Sequence, residues 1–176
     1  MATTKWALDP THSELQFKVK HLMITTVTGS LTAFNASLES EADDFENAKV
    51  SFEAETESID TGNKDRDNHL KSGDFFDAEK YPAIKFTSTS LTQDGDDYIL
   101  KGDLTIKDVT KPVKLNVEFG GIATDPWGNT KAGFTLAGKI NRTDFGLTWN
   151  AALETGGVMV SEEVKIVGEL QFVKQA

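Results

Sequence analysis

Tyr98-Ile99-Leu100-Lys101-Gly102-Asp103-Leu104-Thr105-Ile106 is the stretch on which the fold turns. Tyr98, Leu100, Gly102, Leu104 and Ile106 share one side of an extended chain. Lys101, Asp103 and, further on, Lys107 share the other. Successive side chains of a strand point to opposite faces, so this rhythm of two predicts a strand with one buried face. The same rhythm recurs along the chain. Leu15, Phe17, Val19 and His21 alternate with Glu14, Gln16, Lys18 and Lys20. Ala48, Val50, Phe52 and Ala54 alternate with Lys49, Ser51, Glu53 and Glu55. Ile84 and Phe86, then Val113, Leu115, Val117 and Phe119, then Phe134 and Leu136, then Val164, Ile166, Gly168, Leu170 and Phe172 repeat it. With 27–38 the count is about eight strands. Turn signals divide them: Asp94-Gly95, Gly120-Gly121, Asp125-Pro126-Trp127-Gly128-Asn129 and Gly156-Gly157. One buried face repeated this often is satisfied by a closed barrel or by two stacked sheets. A barrel of that size has room inside for side chains or for one small ligand.

The 176 residues suit one domain, 1–176. Their 38% hydrophobic and 26% charged content is that of an ordinary globular chain. The formal charge of −10, from 18 basic and 28 acidic residues, disfavours nucleic acid and anionic surfaces as partners. There is no cysteine, so disulfides, thiolate catalysis and cysteine-ligated metals are excluded. The start, Met-Ala-Thr-Thr-Lys-Trp, has no basic-then-apolar signal pattern. The expectation is cytoplasmic, or periplasmic or secreted if a leader has been removed. No apolar run is long enough to span a bilayer as a helix, so stable membrane insertion is not expected.

The longest interruption of the strand rhythm is 58–81. Asn63 to Leu70 reads as a short helix there, and a connection this long is more often a lid or binding loop than a plain link. It holds Asp67, His69, Asp74 and Asp77 around the pair Phe75-Phe76. The histidines are His12, His21 and His69, in separate segments and without a metal-binding spacing, so no metal site is expected. Asp74 and Asp77 read most simply as turn or cap residues. No nucleotide-binding or nucleophile-elbow motif is present, and Asp144-Phe145-Gly146 stands without the other kinase elements. The inward phenylalanines admit two readings, a filled core or a cavity. The small residues Ala48, Ala54, Gly102, Gly133, Ala137 and Gly168, read as inward, would leave space for the second.

Four stretches carry a resemblance. They are Trp6-Ala7-Leu8-Asp9-Pro10-Thr11-His12-Ser13 with His21-Leu22 and Val27-Thr28-Gly29; Asp65 to Asp77 followed by Tyr81-Pro82; Gly102 to Ile106 with Lys107 to Val113; and Ile140-Asn141-Arg142 with Asp144-Phe145-Gly146. With these motifs the chain resembles the YceI-like family of bacterial polyisoprenoid-binding, lipocalin-like proteins. Asp108 departs from the family's usual glycine, and Leu31 from its usual aromatic. The resemblance implies an all-β, extended eight-stranded antiparallel barrel with a helical lid around residues 63–77. It implies a non-enzymatic role in binding, carrying or sequestering a long isoprenoid lipid, a polyprenyl phosphate or isoprenoid quinone, with no cofactor besides that ligand. A homodimer is a further implication. The apolar cavity would be lined by Phe17, Val19, His21, Phe34, Phe52, Leu70, Phe75, Phe76, Ile84, Phe86, Leu104, Ile106, Phe134, Phe145 and Trp149. His69, Lys71 and Arg142 are the candidates for the headgroup at the mouth; for the two cations, surface pairing with Asp74 or Asp144 is the alternative. Two rival functions stay open: a small hydrolase or isomerase using His21 or His69 with an aspartate, and a structural or stress-related barrel without ligand.

Overall fold

In this computed structural model, residues 3–22, 24–41, 44–148 and 160–175 are described, and almost every alternating stretch is a strand. The elements are β1 (Thr3–Leu8), β2 (Glu14–His21), β3 (Thr25–Leu31), β4 (Phe34–Glu41), β5 (Asp44–Glu55), β6 (Ile59–Asp60), helix α1 (Lys64–Lys71), β7 (Ala83–Asp94), β8 (Asp97–Ile106), β9 (Val109–Thr124), β10 (Thr130–Asn141) and β11 (Val160–Lys174). The ring β1-β4-β5-β7-β8-β9-β10-β11 closes through a β1–β11 pairing. It is an eight-stranded antiparallel barrel.

More segments appear than the rhythm of two predicts, because the early strands are broken. A 3-10 turn at Pro10–His12 separates β1 from β2, and both halves pair with β11. β3 and β4 are halves of the next strand, pairing with β2 and β1. A 3-10 turn at Thr56–Ser58 splits β5 from β6. Joined end to end, the pieces form an up-and-down meander in which each strand neighbours the next in sequence. Alternate connections therefore gather at opposite ends. The β2–β3 turn, the 61–82 segment, the β8–β9 turn and the β10–β11 connection share one end. The β4–β5, β7–β8 and β9–β10 turns share the other.

The breaks are built from side chains. Asp9 caps the Pro10–His12 turn by accepting from the Thr11 amide, and it also accepts from the Thr11 hydroxyl at 2.7 Å. Its second oxygen meets His12 Nδ1 at 2.9 Å and Lys131 Nζ, from β10, at 3.0 Å. Ser13 carries the ladder across the gap, its Oγ accepting from the Gln171 amide at 3.0 Å. The β8–β9 turn has two residues, Lys107 (φ 53°) and Asp108 (φ 61°), both left-handed. That is the backbone of a type I′ hairpin, and Asp tolerates it better than most residues, which accounts for the departure at Asp108.

The Thr11 hydroxyl bond, with help from His12 and Lys131, holds the Asp9 carboxyl well below the usual carboxylate range. A carboxylate whose folded pKa is depressed stabilises fully above its unfolded value, and that contribution is lost as pH falls through the folded one. Asp9→Asn keeps the cap but loses the charge. It is expected to cost about 2 kcal/mol at neutral pH, and the difference from the parent should shrink as pH falls below about 4. Urea unfolding at a series of pH values reads this. A constant difference across the range would contradict it.

Candidate functional site

The inward phase of the barrel does not meet at its centre. Between the walls lies a cavity of about 340 Å³, within the roughly 300–1,000 Å³ typical of small-molecule sites. Its wall comes from every part of the meander: Leu15, Phe17 and Val19 of β2; Phe52 of β5; Ile84 and Phe86 of β7; Leu104 and Ile106 of β8; Phe134 and Leu136 of β10; Ile166 and Leu170 of β11.

One end is a floor of rings. Trp6 and Phe45 are 1% and 0% exposed, with centroids 5.4 Å apart. Phe45 meets Phe119 at 5.3 Å and the edge of Phe134 at 5.1 Å. Phe134 continues to Phe172 at 6.0 Å. Phe134 and Phe172 face the cavity; Trp6, Phe45 and Phe119 lie behind them. The Trp6 indole N–H, which burial would otherwise leave unpaired, donates to Ser40 Oγ at 3.0 Å.

The other end is a lid. Asn63 caps α1, its Oδ1 accepting from the Arg66 amide. Thr61 anchors the helix: its amide donates to the Asp67 carboxylate, and its hydroxyl and carbonyl accept from the Arg66 guanidinium at 2.8 Å each. After Lys71 the chain folds back, with the Phe76 amide on the Leu70 carbonyl and the Asp77 amide on the Ser72 carbonyl. This turn aims Leu70, Phe75 and Phe76 at the cavity. The Asp67 carboxylate stays within the lid on Thr61, and the Asp77 carbonyl accepts from the Lys80 and Tyr81 amides. His69 Nε2 meets Asp74 Oδ2 at 2.9 Å, and the His69 ring sits edge-on to Phe75 at 5.1 Å.

The residues expected at the site fall as follows. Phe17, Val19, His21, Phe52, Leu70, Phe75, Phe76, Ile84, Phe86, Leu104, Ile106 and Phe134 line the cavity. Phe34 stacks on Phe52 at 5.7 Å and packs against the core, outside the lining. Phe145 is 1% exposed and also outside it. Trp149 lies outside the described residues. Of the headgroup candidates, His69 lines the cavity mouth, whereas Lys71 lies outside the lining and pairs with Glu57 at 3.7 Å. Arg142 lines the cavity but is 3% exposed, so surface pairing with Asp144 does not describe it. Its guanidinium donates to the carbonyls of Leu147, Ser161 and Val160, which fastens the β10–β11 connection at both ends. Burial lowers its pKa, against an upward push from Glu162.

Two further corrections concern small residues. Gly133 and Ala137 belong to the outward phase of β10, and Ala132, Phe134, Leu136 and Gly138 point in. The inward glycines do not create the space either. Phe86 lies over Gly102, Phe17 over Gly29, Leu115 over Gly138, and Leu15 with Leu136 over Gly168.

The lining also includes Lys20 and Arg66, which the sequence reading left out. Arg66 stands one helical turn before Leu70, a spacing that shares a face. Lys20 precedes His21 at the end of β2. With His21, His69 and Arg142 they are nitrogen-bearing residues of the lining, although Lys20 belongs to the outward phase of β2 and the Arg66 guanidinium is held by Thr61; among the described residues no carboxylate lines the cavity. Among the described residues no cluster of three His, Asp or Glu side chains is placed to hold a metal. None of the helices described is long and apolar enough to cross a membrane.

Floor, oily wall and polar lidded mouth define a lipocalin-like barrel with an interior apolar site. The comparisons agree. The YceI-like domain pattern matches residues 6–172. A relative, UPF0312 protein SA2479 of Staphylococcus aureus strain N315, is 40% identical over 170 residues, covering 96% of this chain and 97% of its own. The crystal structure of the Campylobacter jejuni YCEI protein superposes with a TM-score of 0.74 at 32% identity, covering 89% of this chain and 90% of that one. A polyisoprenoid binding domain from Saccharophagus degradans has the same fold, with a TM-score of 0.66 at 18% identity over 97% of this chain and 98% of that one. The chain belongs to the YceI-like domain family.

Arg142→Ala is expected to destabilise the protein by roughly 2–4 kcal/mol, since it strips several buried carbonyls of their donor. Lys71→Ala is expected to cost under about 1 kcal/mol, as for an exposed ion pair. Urea unfolding of both variants separates them, and similar small losses would contradict the stapling role of Arg142.

Proposed function

We propose that this protein binds a long-chain isoprenoid lipid without chemical turnover, holding the tail in the barrel and the headgroup under the lid. The observation that carries the reading is the hydrocarbon-lined cavity, stopped at one end by rings and polar at the other. An isoprene tail offers no hydrogen bonds, and the wall asks for none. Each buried CH₂ contributes about 0.8 kcal/mol, so a five-carbon unit adds about 4 kcal/mol at most. Ordering the tail and losing free motion oppose this by several kcal/mol. A few buried units therefore reach the roughly −8 kcal/mol of micromolar binding. The family membership and the named ligand class of the Saccharophagus degradans domain support the same reading.

Arg66 and His69 beside the mouth, with no carboxylate in the lining among the described residues, favour an anionic headgroup such as a polyprenyl phosphate over a neutral quinone. The His69–Asp74 pair is the observation that keeps an acid/base reading in view. It is half-exposed and turned toward the lid's own loop.

Native mass spectrometry of the protein purified from its own cells distinguishes the two. A lipid adduct is expected in the parent and in His69→Ala, and its loss in Phe75→Asp and Phe76→Asp. A clean unliganded mass for the parent, together with no uptake of an apolar fluorescent probe, would overturn the reading.

A further inference from the structure

The barrel wall has a weak seam. β5 and β7 each run for 12 residues, but their register runs only from Ser51↔Thr87 to Glu55↔Ala83. By contrast β8 and β9 pair from Asp97↔Glu118 to Ile106↔Val109. Beyond Ser51 the two strands part. Each strand is also irregular there against its other neighbour: Asn47 takes a left-handed φ of 63° where β5 slips register against β4, and β7 slips register against β8 between Ser88 and Ser90. Side chains replace the missing ladder. The Val50 amide donates to Ser88 Oγ at 2.8 Å, and the Gln93 amide donates to the Glu46 carboxylate.

An outer groove of about 420 Å³ lies along this gap, lined by Ser37, Ser51, Thr87, Ser88 and Ser90 among others. Val50 lines that groove and the inner cavity alike. One residue, Val50, therefore belongs to the wall of both spaces. Parting the strands here breaks two side-chain hydrogen bonds and no backbone ladder. Parting them at any fully registered seam breaks a run of backbone bonds, which an apolar intruder cannot replace.

We propose that the seam between 47–50 and 88–90, where Val50 borders both spaces and Ser88 bridges the strands, is a lateral portal through which the apolar tail of the ligand enters and leaves the barrel. This rests on the lipid-binding reading above. A floppy tail laid in sideways does not have to be drawn lengthwise past the lid and the cationic mouth. The lid then governs the headgroup, and the seam governs the tail.

The chain's lack of cysteine makes the test clean. In Val50→Cys/Ser88→Cys the only thiols flank the seam, and a disulfide locks it. Thr105→Cys/Thr110→Cys is the control: those hydroxyls are 2.8 Å apart across the fully paired β8–β9 seam, away from both spaces. The probe is anthraniloyl-tagged geranylgeraniol, released from the protein into excess phosphatidylcholine vesicles and followed by fluorescence. The oxidised Val50/Ser88 variant is expected to release the probe at least about tenfold more slowly than its reduced form, with equilibrium binding little changed. The oxidised control is expected to match its reduced form. Ser88→Ala, which removes the bridge, is expected to speed release. Equal rates in the oxidised and reduced Val50/Ser88 variant overturn the portal, as does equal slowing by the control disulfide. Failure of the two introduced thiols to join across the seam would contradict the closeness of the strands on which the portal rests. A parent protein that takes up no probe overturns the lipid reading, and the portal falls with it.

Discussion

Everything in this structure depends on β11 having partners along both edges. On one side it runs with β10 from Lys131↔Val173 to Asn141↔Glu163. On the other it takes β2 along its first half and β1 at its end. That double pairing closes the sheet. A closed sheet has no edge to protect, and it has a single inside. Once closed, every inward position of every strand is committed to one shared interior. This is why the alternation is kept from β2 to β11, and why the charge of the chain lies outside or at the lid end.

Closure alone does not decide between a filled and a hollow interior. The inward glycines would suggest missing side chains, yet Phe17, Phe86, Leu115 and Leu15 fold across the strands to cover them. The space survives because walls on opposite sides of the ring do not reach each other, while at the floor large rings do. Trp6, Phe45, Phe119 and Phe134 belong to distant parts of the chain and meet only because β1, β5, β9 and β10 present them at one level. The hollow is thus bounded by where the aromatic residues fall along the barrel axis, more than by how many small residues it contains.

Much of this was legible in the sequence. The phases of β2, β8 and β11 read directly from their alternation, and the break at 58–81 marked the lid with Phe75 and Phe76 in it. What was not legible depends on pairing between strands. The phase of Gly133 and Ala137 was misread, although parity with Phe134 along β10 already set them outward. The bulge opposite them adds Gly120 to β9 between Phe119 and Gly121, and such a shift cannot be read from one strand alone. Phe145 and Arg142 looked like site residues because their motif is distinctive, but both are buried beside β10, and Arg142 is occupied with carbonyls of its own connection. The floor was missed because nothing local marks Trp6 or Phe45 as neighbours. The broken early strands hid behind an uninterrupted apolar rhythm, although Pro10 signalled the first break.

The claim on which the functional account rests is that the interior is a dry, hydrocarbon-shaped space. A crystal structure of the protein as purified from its own cells tests it most directly. The account predicts a continuous rod of density from beside Phe134 and Phe172, along the wall, to Leu70 and His21 beneath the lid. An interior filled by side chains, or occupied by a chain of ordered waters, would contradict it.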